Sequence, residues 1–285
     1  MDRFPPLPDR PSHRGRRLPV SPWHLFLAPV AAIMLVPLVW MVIVSLETEQ
    51  QANRFPPLLV PSGLHFSNYS TVWNTVPFGH FFLNSALYAL ATVAGNLLFC
   101  SLAAYAFARI RFFGRNVLFV VLLATLMVPF QVLLIPTFLI VKQLGLVDSV
   151  GGLIMPNLCS AFGIFMLRQF FRTLPIELEE AARIDGTSRL GILFKIVLPL
   201  SMPALATLGI IQFMWSWNDF LWPLIIIDTA SHAPLQLGLS TLQGAHSTQW
   251  NLLMAGTVMS QIPMLAIFLL AQRWFIRSIA FTGIK

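Results

Sequence analysis

Long apolar runs, separated by short polar, proline-bearing or charged connections, set the rhythm of this chain. The runs at 23–46, 82–107, 117–141, 152–171, 203–227 and 252–274 are each long enough to cross a bilayer as a helix, given a rise of about 1.5 Å per residue and a hydrocarbon core of about 30 Å. They predict an all-α membrane protein with six transmembrane helices. The first run is too long for a signal-peptide core and lacks a small-residue cleavage site, so it is read as a span. Pro129, Gln131 and Pro136 in the third run predict a kink or a locally freed backbone, and Pro156 and Asn157 interrupt the fourth.

The connections differ in kind. Residues 47–81 and 228–250 are polar or proline-broken and read as external loops, the first carrying a short interfacial helix. Its Asn68-Tyr69-Ser70 triplet fits a glycosylation acceptor, but that tripeptide is common by chance and is set aside. Residues 173–203 are the most polar and densely charged internal stretch, and predict a helix, a glycine stop and a second short helix. Thr173 is placed to cap the first helix, with Pro175 in its opening turn and Glu177, Glu179 and Glu180 near its positive dipole end. Gly186 ends it, Thr187 or Ser188 caps the second helix, which carries Arg189 and Lys195, and Pro199 with Pro203 announces the next break. In the simplest reading this is an amphipathic knob between spans, with Glu179 and Arg183 forming an i to i+4 surface pair.

Composition excludes an ordinary soluble domain: 56% of the 285 residues are hydrophobic and only 10% charged. The net charge of +7 raises the question of nucleic acid, but the basic residues fall in short clusters between apolar runs and argue for membrane orientation instead. With six spans and the amino end inside, sixteen of the eighteen Lys and Arg residues face the cytoplasm, and only Arg54 and Lys142 do not. Both termini are therefore expected in the cytoplasm, together with the 173–203 knob. The expected organisation is a disordered basic tail at 1–21, a first helix and external loop at 22–81, a transmembrane core at 82–275 and a short cytoplasmic tail at 276–285.

Candidate chemistry is sparse. The six histidines form no HExxH or similar ligand spacing, no GxSxG elbow is present, and no GxxxxGK[ST] loop offers a nucleotide site, so no catalytic or metal residues are assigned. Cys100 and Cys159 lie in apolar stretches and read as small buried hydrophobes. Asp219 is the one acid placed inside a span. It suits either a contact along a transport pathway or a carboxylate that caps a helix end or pairs with a neighbour such as Asn218. Asn84, Asn96, Gln131 and Asn157 suit interhelical hydrogen bonds or cargo contacts. Trp215, Trp217 and Trp222 suit either stacking on sugar faces or an interfacial anchor belt.

The knob carries a further signal. Glu180-Ala181-Ala182, three residues, Gly186, nine residues, Ile196, one residue and Leu198-Pro199 together resemble the EAA loop of permease subunits in bacterial ABC importers. Asn84-Ser85, the Trp217-Asn218-Asp219-Phe220-Leu221-Trp222-Pro223-Leu224 run and the Thr282-Gly283-Ile284-Lys285 ending are similar to the MalG-like subunits of the carbohydrate-uptake branch of binding-protein-dependent transport systems. The resemblance covers roughly 84–274. It implies the MetI-like fold of an ABC type-1 transmembrane domain with a cytoplasmic coupling helix. It further implies a permease in the bacterial inner membrane that forms half of the translocation pathway for a sugar, polyol or sugar phosphate. Implied partners are a second homologous permease, two ATPase subunits that bind ATP and Mg, an extracytoplasmic solute-binding protein and membrane lipid, but no nucleic acid. Glu180, Ala181, Ala182, Asp185, Gly186, Ile196, Leu198 and Pro199 are then the ATPase-coupling residues. Asn84, Gln131, Trp217, Asn218 and Asp219 are the pathway candidates. The competing class is an ATP-independent secondary transporter or channel, which usually needs intramembrane titratable groups, and this chain offers little beyond Asp219.

Overall fold

The computed structural model describes residues 22–57, 61–244 and 248–282. The basic tail at 1–21 and the Gly283-Ile284-Lys285 ending lie outside the described residues. All long elements are helices, as lipid demands, because a helix satisfies its own backbone donors and acceptors. The chain divides into two compact units, 1–40 and 41–285. The first holds most of helix α1 (Pro22–Ser45), whose apolar side chains, among them Phe26, Ile33 and Met34, are exposed.

The second unit begins at the end of α1 with two short helices, α2 (Glu49–Ala52) and α3 (Ser67–Thr75), where the sequence suggested one. Asn68 is buried and clamps this region: its amide donates to the carbonyls of Ser45 (2.9 Å) and Glu47 (2.8 Å), and its oxygen accepts from Asn251 (3.3 Å). The long helix α4 (Phe78–Arg109) is the second span and the axis of the unit. It packs chiefly against α8 (Ala161–Thr173) and α12 (Met202–Trp217).

Among the described residues, three helices are long and apolar enough to cross a membrane, and three bent pairs pass the same test together, giving up to six spans. The third is sharply broken: α5 (Arg115–Thr125) and α6 (Phe130–Gln143) meet at 104°. Pro129 explains the site, since it disfavours helical backbone in the residue before it and itself starts α6 in extended conformation. Pro136 is absorbed within α6, and the hydroxyls of Thr125 and Thr137 bond back to the carbonyls of Leu122 and Leu133, each at 2.7 Å. The fourth span pairs α7 (Val150–Ile154), prolonged by a 3-10 turn (Met155–Asn157), with α8 at 43°.

After α8 come α9 (Glu177–Ile184) and α10 (Arg189–Ile192). The latter runs through a π-helical turn (Leu193–Val197) into α11 (Leu198–Leu200) and then bends by 81° into α12. The expected fifth span at 203–227 stops at Trp217. Residues 218–220 leave the helix, and α13 (Leu221–Ile226) follows separately. A 3-10 turn (Ala230–His232) and α14 (Leu235–Ser240) lead to α15 (Trp250–Thr282), so the tail expected at 276–285 begins as a continuation of the last helix.

Two buried apolar clusters flank the middle of α4. One gathers Phe78, Phe81, Tyr88, Leu153, Trp217, Trp222 and Leu235, and the other Cys100, Tyr105, Leu167, Phe171, Ile192 and Leu208. Close backbone approach at Gly152 helps hold the first, because a Cβ there would stand 2.2 Å from the Leu146 carbonyl oxygen. Asp148, in the loop before α7, latches that side by accepting from the amides of Asp228 (3.1 Å) and Thr229 (2.9 Å) and from the Thr229 hydroxyl (2.5 Å). These donors hold its carboxyl down at about 2, so the latch is complete above the ordinary carboxylate range and is lost only as pH falls toward that value.

Substituting Gly152→Ala is expected to destabilise the protein by about 2 kcal/mol through overpacking against fixed backbone. Gly151→Ala, whose added Cβ meets only ordinary contacts, is expected to be neutral. Melting followed by intrinsic fluorescence in detergent micelles checks this, and equal melting temperatures for both variants would refute the close approach.

Candidate functional site

The knob is built from its caps inward. α9 begins at Glu177 without a side-chain cap. Thr173 is instead the last residue of α8, and its hydroxyl turns back to the Phe170 carbonyl (2.7 Å), so it does not cap the following helix as expected. Pro175 precedes the helix rather than entering it. The far end follows the sequence closely. Gly186 has φ +79, its amide bonds the Arg183 carbonyl (3.1 Å) and the Thr187 amide bonds the Ala182 carbonyl (2.9 Å), the paired closure that a left-handed residue after a helix permits. Ser188 then caps α10 through the Gly191 amide (3.2 Å).

Inside and outside faces of α9 are sharply different. Glu179 and Ala182 are buried, whereas Glu180, Ala181, Arg183, Ile184, Asp185 and Gly186 are exposed. Beyond the turn, Ile196 and Leu198 are half-buried and Pro199 is exposed. Ile184 is 87% exposed, and Ile176, Leu178, Leu190 and Phe194 also present apolar surface. Of the coupling candidates, then, Glu180, Ala181, Asp185, Gly186 and Pro199 are on the outer surface and Ala182 is part of the packing.

The surface pair of Glu179 with Arg183 that a plain amphipathic helix would carry does not form among the described residues. Glu179 points inward and pairs with Arg109 at the end of α4, Nε to Oε1 at 2.7 Å, with both side chains at most 10% exposed. Its other oxygen accepts from the Tyr105 hydroxyl (3.2 Å). Arg109 also donates to the carbonyls of Phe171 (2.7 Å) and Leu174 (2.6 Å), satisfying the carboxyl end of α8. One guanidinium thus joins α4, α8 and α9. Sequence reading missed this brace. Its available signals were the helical spacing that puts Glu179 and Ala182 on one side of α9 and the basic residue in the last turn of α4.

A second polar group sits where α12 breaks. Asp219 lies in the break rather than inside a helix, its Oδ2 accepting from the Tyr88 hydroxyl (2.9 Å) and its Oδ1 from the Trp222 amide (3.4 Å) at the start of α13. Tyr88 accepts in turn from Asn157 (3.0 Å), which also bonds the Leu153 carbonyl (3.1 Å). Asn96 follows along α4, bonding the Asn157 carbonyl at 3.4 Å. A polar thread therefore links the break in the fourth span to the end of α12 through α4. Asn218 is exposed and meets Gln236 at 3.5 Å.

The other pathway candidates are not gathered with Asp219. Asn84 donates to the carbonyls of Ser231 (2.8 Å) and Ala233 (3.1 Å), and adjacent Ser85 accepts from the Leu235 amide (2.7 Å), so this pair holds the segment between α13 and α14. Gln131 stands exposed in the first turn of α6. Trp217 and Trp222 are neither stacking platforms nor interfacial anchors. Both are buried, with indole N–H groups donating to the carbonyls of Ser260 (3.0 Å) and Gly152 (3.2 Å). Trp215 is the exposed one of the three, edge-on to Phe162. Cys100 is buried as expected, but Cys159 is exposed in the break before α8, its sulfur 3.7 Å from that of Cys100, and both are free thiols.

Removing one partner of the brace leaves the other charge buried and unpaired. Glu179→Ala and Arg109→Ala are each expected to cost about 3 kcal/mol, while the paired apolar replacement Arg109→Met with Glu179→Leu costs less than either. Denaturant titration of the purified protein measures this, and additive losses in the paired variant would count against the geometry.

The chain matches the family described as "Binding-protein-dependent transport system inner membrane component" over residues 96–281. It is 38% identical over 264 residues to the sn-glycerol-3-phosphate transport system permease protein UgpE of Pectobacterium atrosepticum, covering 90% of this chain and 94% of that one. It is 35% identical over 265 residues to the arabinooligosaccharides transport system permease protein AraQ of Bacillus subtilis, covering 92% and 94%. Among solved structures it superposes, with a TM-score of 0.77 and 28% identity, on a chain of a bacterial ABC transporter involved in the import of the acidic polysaccharide alginate, covering 88% and 94%. A second alginate transporter structure, in complex with alginate pentasaccharide-bound periplasmic protein, shares the fold at a TM-score of 0.64 and 16% identity. This chain belongs to the binding-protein-dependent transport system inner membrane components, and it is a permease subunit of an ABC importer rather than an enzyme.

Proposed function

We propose that this permease imports a sugar or a related polyol or sugar phosphate, delivered by an extracytoplasmic solute-binding protein, as one half of a pathway completed by a second homologous permease. Two separate ATPase subunits bind ATP and Mg, and the α9 knob, with both termini of the chain, faces the cytoplasm where those subunits work. The observation that carries this reading is the two-faced knob. Its outer face presents Glu180, Ile184 and other apolar side chains to solvent, while its inner face is tied to the core by Glu179 and Arg109.

A load applied to the exposed face passes through that buried pair to α4, which spans the unit and packs on α8 and α12. Closing of the ATPases and docking of the binding protein would each favour one global arrangement of the spans, which is the requirement for coupling two distant sites. The breaks at 126–129 and 218–220 supply positions where helices can reorient, and the Asp219, Tyr88 and Asn157 thread supports a pathway role for that part of α12 and α13. The sugar class is supported by the relatives, which are permease proteins of sn-glycerol-3-phosphate and arabinooligosaccharide transport systems.

In liposomes holding the purified importer, Glu180→Lys is expected to lower binding-protein-stimulated ATP hydrolysis and labelled-sugar uptake together by at least about ten-fold, within the range of ordinary coupling energies. Glu177→Lys, at the start of the same helix, is expected to leave both nearly unchanged. Wild-type uptake that continues without ATP would overturn the reading.

A further inference from the structure

At the junction of α4 and α5, four guanidinium groups collect with no carboxylate within ion-pair distance among the described residues: Arg111, Arg115, Arg168 and Arg172. Arg109, two residues before Arg111, is neutralised by Glu179, which makes the contrast plain. Arg115 and Arg172 are the like-charged neighbours of Arg168. Arg168 is held in place, its guanidinium 3.8 Å from the centre of the Phe119 ring and its Nε on the Phe107 carbonyl (3.3 Å). Arg115 keeps one nitrogen on the Ile110 carbonyl (3.3 Å).

Arg111, Arg115, Gly114 and Asn116 line a cavity of about 310 Å³. It opens at the amino end of α5, where Gly114 has no side chain to cap the helix. The amides of Asn116 and Val117 therefore lack helical partners, and both residues line the cavity. Repelling cations and free amides in one place suit a phosphate group. What continues from the cavity is apolar: Phe113 is fully exposed, and Val117, Val120 and Val121 on α5 are all more than half exposed. A phosphate with hydrocarbon attached fits both halves, and a soluble anion fits only the first.

We propose that the cavity framed by Arg111, Arg115 and Asn116, with Arg168 and Arg172 beside it, binds the phosphate of an anionic diacyl phospholipid whose acyl chains lie along the exposed face of α5. The site is separate from the coupling and pathway residues and does not depend on the identity of the cargo. A bound headgroup would relieve the mutual repulsion of the arginines at the foot of the sharply broken third span.

The test uses the importer purified through a tag on this chain, with binding of fluorescent phosphatidylglycerol measured against phosphatidylcholine in detergent. The Arg111→Gln, Arg115→Gln, Arg172→Gln variant spares Arg168, whose ring contact packs the protein. Affinity for phosphatidylglycerol is expected to fall by about five-fold for each arginine neutralised, while the matching Lys variant retains most of it and phosphatidylcholine is unaffected. Unchanged phosphatidylglycerol binding in the Gln variant would overturn the proposal. Displacement of the bound probe by millimolar inorganic phosphate would also overturn it, reassigning the cavity to a soluble anion. If the Gln variant does not assemble, a photoreactive phosphatidylglycerol on the wild type must label the peptide containing 111–121; labelling confined to other peptides refutes the site.

Discussion

A single buried ion pair gives the knob its mechanical meaning. Had Glu179 stayed on the surface with Arg183, α9 would be a hinged ornament, free to swing without moving the spans. Buried against Arg109 and Tyr105, it is continuous with α4 and with the carboxyl end of α8. The desolvation cost of two charges is offset because each also meets hydrogen-bond partners, and the arrangement is retained for its geometry more than for net stability.

The transmembrane part is organised by where helices stop. Breaks at 126–129, 158–160 and 218–220 free backbone groups in and beside the apolar spans, where lipid offers no partners. Side chains take that role. The Asp219 carboxylate accepts from the Trp222 amide in the first turn of α13, the Ser160 hydroxyl caps α8 through the Gly163 amide (3.0 Å), and Asn157 bridges to Tyr88. Asp219, Asn157 and Asn96, polar residues that suited cargo contacts along the sequence, bridge broken helices, whereas Gln131 and Asn218 stay exposed. Apolar packing around Trp217 and Trp222 closes the same region from within.

A common logic connects the two ends of the charge distribution. Sixteen of eighteen basic residues read as facing one side, yet only the structure distinguishes Arg109, which is sequestered by an acid, from Arg111, Arg115, Arg168 and Arg172, which are not. The first works as an internal strut, and the others gather with no acid partner among the described residues.

Periodicity and length sufficed for the number and placement of the apolar runs, because transfer into hydrocarbon depends on summed side-chain polarity over about twenty residues. Gly186 was equally legible, since a left-handed closure after a helix is a local backbone demand. So was the two-part design of the knob. What local sequence did not determine was partnership. The 104° bend at Pro129, the turn of Thr173 back onto its own helix, the burial of Trp217 and Trp222 and the choice of Arg109 over Arg183 by Glu179 depend on elements far apart in the chain. Such choices are settled by which polar atoms come within hydrogen-bond reach once the helices pack, and only the tertiary structure brings those atoms together.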